Sequence, residues 1–244
     1  MDLNALQRDW NAFGKSDPFW AILTDPARRG NKWRPDEFFE TGVCEVRELL
    51  RYLESLGVEV QRRMALDFGC GAGRLSQALA AHFEEVHGVD VAPSMIELAN
   101  RLNRCPQRCV YHVNASERLE LFEDQTFDLI YSNITLQHIP PRISKQYIAE
   151  FIRTLRRDGV VVFQVPSRPA NPVKEAVKRA AAKSLLRCFR TLGYINRPVI
   201  VMHSIKREDV VRLLMAQGAQ VLDVAETESA GKSWVTHRYC ATKP

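Results

Sequence analysis

The stretch Ala65-Leu66-Asp67-Phe68-Gly69-Cys70-Gly71-Ala72-Gly73-Arg74-Leu75-Ser76 constrains this chain more than any other. It reads as a short apolar strand, a turn with three glycines at alternate positions, and a helix beginning near Arg74. Glycine alone reaches positive φ without steric cost, and it lets a ligand approach bare backbone. Three of them behind Asp67 predict a turn that cradles a ligand rather than a plain corner between strand and helix. The spacing is G-x-G-x-G, not the G-x-G-x-x-G of dinucleotide sites, and no Gly-Lys-Ser/Thr follows as a phosphate-binding P-loop requires. Cys70 supplies the small side chain that the turn needs.

Further strands are predicted at Glu85–Val89, Val110–Val113, Phe127–Asn133, Val160–Val165, Gln220–Val224 and Ser233–Ala241. The valine run at 160–165 indicates burial on both faces, as in a parallel sheet covered by helices. Asp90 closes the second strand. A carboxylate there is placed to accept hydrogen bonds from both hydroxyls of a ribose, and also to cap the helix that Pro93 opens. Between strands, a helix is expected over Arg142–Leu155 with a turn at Arg156–Gly159. Ser204 is expected to cap another that carries Val210, Val211, Leu213, Leu214 and Met215 and stops at Gly218.

The segment Asp67–Gly73 resembles the first motif of the class I S-adenosylmethionine-dependent methyltransferases. Val91–Met95 and Ile134–Pro141 continue the resemblance, which covers residues 64–165 well and the last two strands loosely. It implies a three-layer, doubly wound, mostly parallel seven-stranded α/β sheet with a terminal antiparallel strand. It also implies S-adenosylmethionine as cofactor and S-adenosylhomocysteine as product. The cofactor-binding residues it implies are Asp67, Gly69, Cys70, Gly71, Gly73, Asp90, Val91, Met95, Asn114, Ala115, Ser116 and Asn133. Asp67 would attract the ammonium of the cofactor, directly or through water, and the helix start after Gly73 would favour its carboxylate. Met95 would lie against the adenine. Asn114 departs from the acid that many members carry, although its amide oxygen can accept the same bond. Methyl transfer needs a base only when the nucleophile begins protonated, and His138, just after the fourth strand, is the first candidate. His203, Tyr194 and Arg197 are second-rank candidates for acceptor contacts. The Pro-Pro-aromatic motif of amino-group methylators is absent, which weakens a nucleic-acid-base acceptor.

Length and charge then bound the whole. With 244 residues and 45% apolar content, the chain can bury one large core, and a net charge of +5 permits an acidic partner without demanding one. No apolar run reaches membrane-span length, the N-terminus lacks a signal pattern, and the six cysteines are scattered without zinc-ligand spacing. A cytoplasmic protein without a structural metal is expected. Residues 1–60 read as a helical cap with an amphipathic helix from Asp36 to Gly57, 61–165 as the cofactor-binding core, 166–204 as a helical insertion after strand five, and 205–244 as the last helix and closing strands. Within the insertion, Val173–Leu192 is expected to form a helix with Arg179, Lys183 and Arg187 on one face. Its candidate roles are a lid over the acceptor, a peripheral membrane contact, or a solvated face. The expected activity is methyl transfer to a small or lipid-like acceptor. The rivals are an RNA or protein methylator, a partner subunit that binds cofactor without turnover, and a nicotinamide-dependent oxidoreductase. The oligomeric state is left open.

Overall fold

The computed structural model describes residues 2–172 and 200–244. The helix expected over 173–192, and with it Tyr194 and Arg197, lies outside the described residues. Seven strands form one sheet: β1 (Met64–Phe68), β2 (Glu85–Asp90), β3 (Cys109–Val113), β4 (Phe127–Ser132), β5 (Leu155–Pro169), β6 (Gln220–Thr227) and β7 (Trp234–Thr242). Their order is β3-β2-β1-β4-β5-β7-β6, with β7 antiparallel to both neighbours and every other pairing parallel.

Strand alternation sorts the core into two layers. Leu66, Phe68, Ile130, Val161 and Phe163 pack against Tyr147, Ile148 and Phe151 of α6 (Pro141–Thr154) and Val210 and Leu214 of α7 (Arg207–Ala216). Ala65, Val86, Leu129 and Val162 face the other way. They meet Val46, Leu49 and Leu53 of α3 (Pro35–Ser55), Leu75 and Leu79 of α4 (Arg74–Leu79), and Ile96 and Ala99 of α5 (Pro93–Arg101). Helices therefore cover both faces of a doubly wound sheet.

Four local expectations need correction. The helix expected from Asp36 starts one residue earlier, because Pro35 takes the first helical position and Arg34 precedes it. The expected turn at 156–159 is a bulge inside β5: pairing jumps from Phe127↔Leu155 to Leu129↔Val160, and Asp158 sits at φ 59°. β5 also runs beyond Val165 to Pro169, pairing with β7 as far as Trp234. Its partner β4 ends at Ser132↔Phe163, so Pro166 lies where one side of β5 is already an edge, and a missing N–H is tolerated there. Finally, Ser204 does not cap α7. The Ile205 N–H donates to the Pro166 carbonyl at 2.9 Å, which keeps this segment extended beside β5 until the helix starts at Arg207.

The first segment holds α1 (Leu3–Ser16) and α2 (Pro18–Ile22). α1 runs through Gly14 because bare backbone is needed there. A Cβ on Gly14 would fall 2.2 Å from Ser94 Oγ of α5. Asn11 accepts from the Ser94 backbone N–H at 2.9 Å and from its hydroxyl at 2.8 Å, while Gln7 Nε2 donates to the Val91 carbonyl at 2.9 Å. Among the described residues, no helix is long and apolar enough to cross a membrane, and no cluster of His, Cys, Asp and Glu is placed to hold a metal.

Candidate functional site

Beyond the carboxyl ends of β1, β2 and β4 lies a cavity of about 840 Å³, its open mouth included. Its floor is the glycine turn. The Gly69 and Cys70 N–H groups donate to the Val89 carbonyl at 2.8 and 3.0 Å, and the Gly71 N–H donates to Asp90 Oδ2 at 3.0 Å. Gly71 has φ 51°, and a Cβ on it would stand 2.6 Å from Ile22 Cδ1 of α2. α1 supplies the roof through Leu3, Leu6 and Trp10.

Asp90 is on the wall, and its other oxygen accepts from the Ala92 N–H at 2.9 Å. Burial pushes its carboxyl above the usual range, while the N–H groups of Ala92 and Gly71 pull it back. The Val91 N–H pulls in the same direction, so backbone groups engage both oxygens and the carboxylate keeps acceptor capacity for a ligand. Val91, Met95 and Asn114 line the same end. The Asn114 amide nitrogen donates to the Ser116 carbonyl (3.2 Å) and the Tyr147 hydroxyl (3.4 Å), which orients the amide and leaves its oxygen without a partner among the described residues.

Four of the implied binding residues are elsewhere. Asp67 is 1% exposed and does not reach the cavity. Alternation along β1 puts it on the α4 face with Ala65, while Phe68 goes to the cavity side. Its Oδ2 accepts from the Ser76 hydroxyl at 2.6 Å, its Oδ1 has no partner among the described residues, and burial raises its pKa to about 7. A group so held has no direct access to a cofactor ammonium, which leaves the route through water. Gly73 is off the wall too. Its φ of 83° starts α4, and a Cβ there would meet the Tyr111 hydroxyl at 2.4 Å, so packing explains this glycine. Ala115 and Ser116 lie outside the cavity, the Ser116 carbonyl being taken by Asn114 and by the Tyr147 hydroxyl.

At the end of β4, Asn133 is on the wall, donating from Nδ2 to Glu45 Oε1 at 2.8 Å. Ile134 follows at φ 50°, a conformation that a β-branched residue adopts only under constraint. Its N–H is held by Asn133 Oδ1 and Gln164 Oε1, both at 3.1 Å. No pattern in the sequence announces that strain. His138 also lines the cavity, but both ring nitrogens are engaged. Nδ1 must donate to the Val201 carbonyl (3.0 Å), so Nε2 accepts from Gln137 Nε2 (3.1 Å). Burial pushes its pKa down to about 4. The ring, packed by Trp10 at 5.2 Å, is a neutral strut, which counts against the expected base. His203 belongs to the same junction, its N–H donating to the Gln137 carbonyl at 2.7 Å.

Sequence reasoning missed two charged residues here. Arg74, 3% exposed, lines the cavity, and its Nη2 donates to Glu45 Oε2 at 2.8 Å. Glu45 also accepts from the Tyr131 hydroxyl at 2.9 Å. One signal was readable: a cation in the first turn of a helix opposes the helix dipole and calls for a carboxylate or an anion nearby. Past Asn133, which belongs to both walls, a wider groove is bordered by Glu37, Glu40, Glu45 and Glu48 of α3 and by Arg238 of β7.

The strand order, with an antiparallel β7 between β5 and β6, and an acid closing β2 under a glycine turn define a Rossmann-like methyltransferase fold. Residues 65–159 match the family described as "Methyltransferase domain", and over that stretch the chain is similar to S-adenosylmethionine-dependent methyltransferases. Trans-aconitate 2-methyltransferase of Methylobacterium radiotolerans is 31% identical over 122 residues, which are 49% of this chain and 44% of that protein. Ubiquinone biosynthesis O-methyltransferase of Coxiella burnetii is 34% identical over 93 residues, 37% of this chain and 38% of that protein. The chain thus spans less than half the length of these curated relatives. Among solved structures, magnesium protoporphyrin IX methyltransferase (ChlM) from Synechocystis PCC 6803 with bound SAH aligns over 100% of both chains with TM-score 0.67. At 15% identity, that likeness speaks for the fold alone.

Proposed function

We propose that the chain binds S-adenosylmethionine in the cavity above β1, β2 and β4 and transfers its methyl group to a small-molecule acceptor, leaving S-adenosylhomocysteine. The observation that carries this reading is Asp90, locked under the glycine turn by Gly71 and Ala92 with acceptor capacity left for a ribose. Asn114 offers an amide oxygen to the adenine edge, Val91 and Met95 offer apolar surface to its face, and Gly69–Gly71 leave room for close approach. When bound, the cofactor supplies an electrophilic methyl on a cationic sulfur. The chain's share of the work is alignment and exclusion of water, for which Ile134, Thr135 and the α1 roof are placed. No base is assigned to His138.

Relatives named for trans-aconitate and for ubiquinone biosynthesis support a small, possible-to-enclose acceptor rather than a polymer. The carboxylate-bordered groove beyond Asn133 is unfavourable to RNA, whose phosphates it would repel. In domain terms, residues 1–60 act as a cap on a single catalytic unit. Calorimetry with S-adenosylhomocysteine tests the reading. Wild type should bind, and Asp90→Ala should weaken binding by roughly 10- to 100-fold, as expected for losing hydrogen bonds to a charged group. Unchanged affinity would remove Asp90 from the site. Methyl incorporation from labelled cofactor into metabolite extracts separates an enzyme from a subunit that only binds.

A further inference from the structure

We propose that Arg74 is the anchor for the carboxylate at the amino-acid end of the cofactor, with Glu45 holding the guanidinium ready for it. The inference rests on the cofactor reading above. It begins from an imbalance. Arg74 is 3% exposed, and a buried guanidinium with five N–H donors needs acceptors on most of them. The described residues supply two: Glu45 Oε2 to Nη2 at 2.8 Å and the Thr41 hydroxyl to Nη1 at 3.4 Å, a long contact. Nε is buried with no partner among the described residues.

Glu45 does not neutralise this cation by itself. Its other oxygen accepts from Tyr131 and Asn133, so its charge is shared among three donors drawn from α4 and from β4 and its end. A cation that is desolvated, under-satisfied and on the wall of a cavity favours an anion, and its planar fork matches a carboxylate.

The sheet indicates which part of the ligand that anion belongs to. Asp90, Val91, Met95 and Asn114 gather at the β2 and β3 side, where the nucleoside is assigned. Arg74 follows β1, and its partner Glu45 is bonded to Asn133 at the end of β4, on the other side of β1. A ligand spanning the cavity from Asp90 across the glycine turn thus presents the end remote from adenine to Arg74. Asp67, which the motif offered for that end, is turned away to Ser76. The amino-acid end is therefore recognised through its carboxylate.

The test compares two ligands that differ at that end. S-adenosylhomocysteine carries the amino-acid tail; 5′-methylthioadenosine keeps the nucleoside and sulfur and lacks the carboxylate. In calorimetry, Arg74→Met should weaken S-adenosylhomocysteine by about 10- to 100-fold, the loss expected for a charge-assisted pair. It should leave methylthioadenosine within about 2-fold of wild type. Arg74→Lys, which keeps the charge beside Glu45 but loses the fork, should fall between. Equal losses for both ligands, or no loss for either, would overturn the assignment. A wild-type measurement covers the case in which Arg74→Met does not fold. The decarboxylated analogue of S-adenosylhomocysteine should bind at least about 10-fold more weakly than the parent, and parity would overturn the proposal. Wild type that binds neither S-adenosylhomocysteine nor methylthioadenosine refutes the cofactor reading itself. Binding of both with parity toward the decarboxylated analogue refutes only the role of Arg74.

Discussion

Asp67 and His138 are buried titratable groups that bear on stability with opposite signs. Burial raises Asp67 to about 7 against an ordinary 3.8, so across that interval the native state keeps a proton that the unfolded chain has released. Stability on this account falls as pH rises from 4 to 7. Asp67→Asn keeps an oxygen for Ser76 and removes the titration. Urea denaturation of both proteins should show the variant gaining on wild type across that interval, by a few kcal/mol at most, and then levelling. His138 is pushed down to about 4, so it binds its proton less readily when folded, and its contribution is present above 6.5 and lost toward 4. His138→Leu strips the Val201 carbonyl of its donor and Gln137 of its acceptor, and should cost about 1–3 kcal/mol near neutrality. Its pH profile of kcat/KM should keep the shape of wild type, whereas a vanished limb would restore the ring as a base. At this scale the placement of Asp90, Val91, Met95, Asn114 and Asn133 around one cavity was legible in the sequence, because strand ends in such a sheet face one crevice. The placements of Asp67 and His138 were not. The side a strand residue faces depends on register, and a histidine's role depends on what returns to meet it from 63 residues away.

The element that most affects the cavity from outside the core is α1. Leu3, Leu6 and Trp10 form its roof, and Gly14, Asn11 and Gln7 fix it to α5 and to the end of β2. A Cβ at residue 14 strikes Ser94 at Oγ (2.2 Å), at Cβ (3.1 Å) and near the Met95 nitrogen (3.2 Å), so the clash cannot be relieved by one rotamer. Gly14→Ala improves helix propensity and yet should lower the melting temperature by several degrees, with weaker S-adenosylhomocysteine binding as α1 lifts. A variant that melts higher and binds normally would mean that α1 is not seated as a roof. The apolar periodicity of α3 and the valines of β5 were readable because one residue pattern meets one buried surface. The need for Gly14 within α1 was not readable, since its reason is a serine 80 residues later, nor was the full length of β5, because Pro166 is tolerated only where β4 has ended.

For the whole molecule, the cavity is a product of tertiary assembly. Its walls come from α1, the glycine turn, the ends of β2 and β4, and Tyr147 of α6, and no one of these can hold a nucleoside alone. A ligand that needs them together binds the native arrangement and not the unfolded chain, so it stabilises by mass action, by about 2.7 kcal/mol at 100 times Kd. The linkage has a local part. α1 is held to the rest through the buried Leu3, Leu6 and Phe13, through hydrogen bonds to α5 and Val91, and through Trp10 against His138, and as a helix outside the sheet it is a wall that can open without breaking strand pairing. His138 is itself tied to Val201, so opening of the roof is felt where the chain returns to the sheet at 200–205. Saturating S-adenosylhomocysteine should therefore slow amide exchange in residues 6–13 and 200–205 together, and by a similar factor. Slowing confined to the glycine turn would mean that the ligand reaches its site without moving α1, and that the roof and the cavity floor are independent.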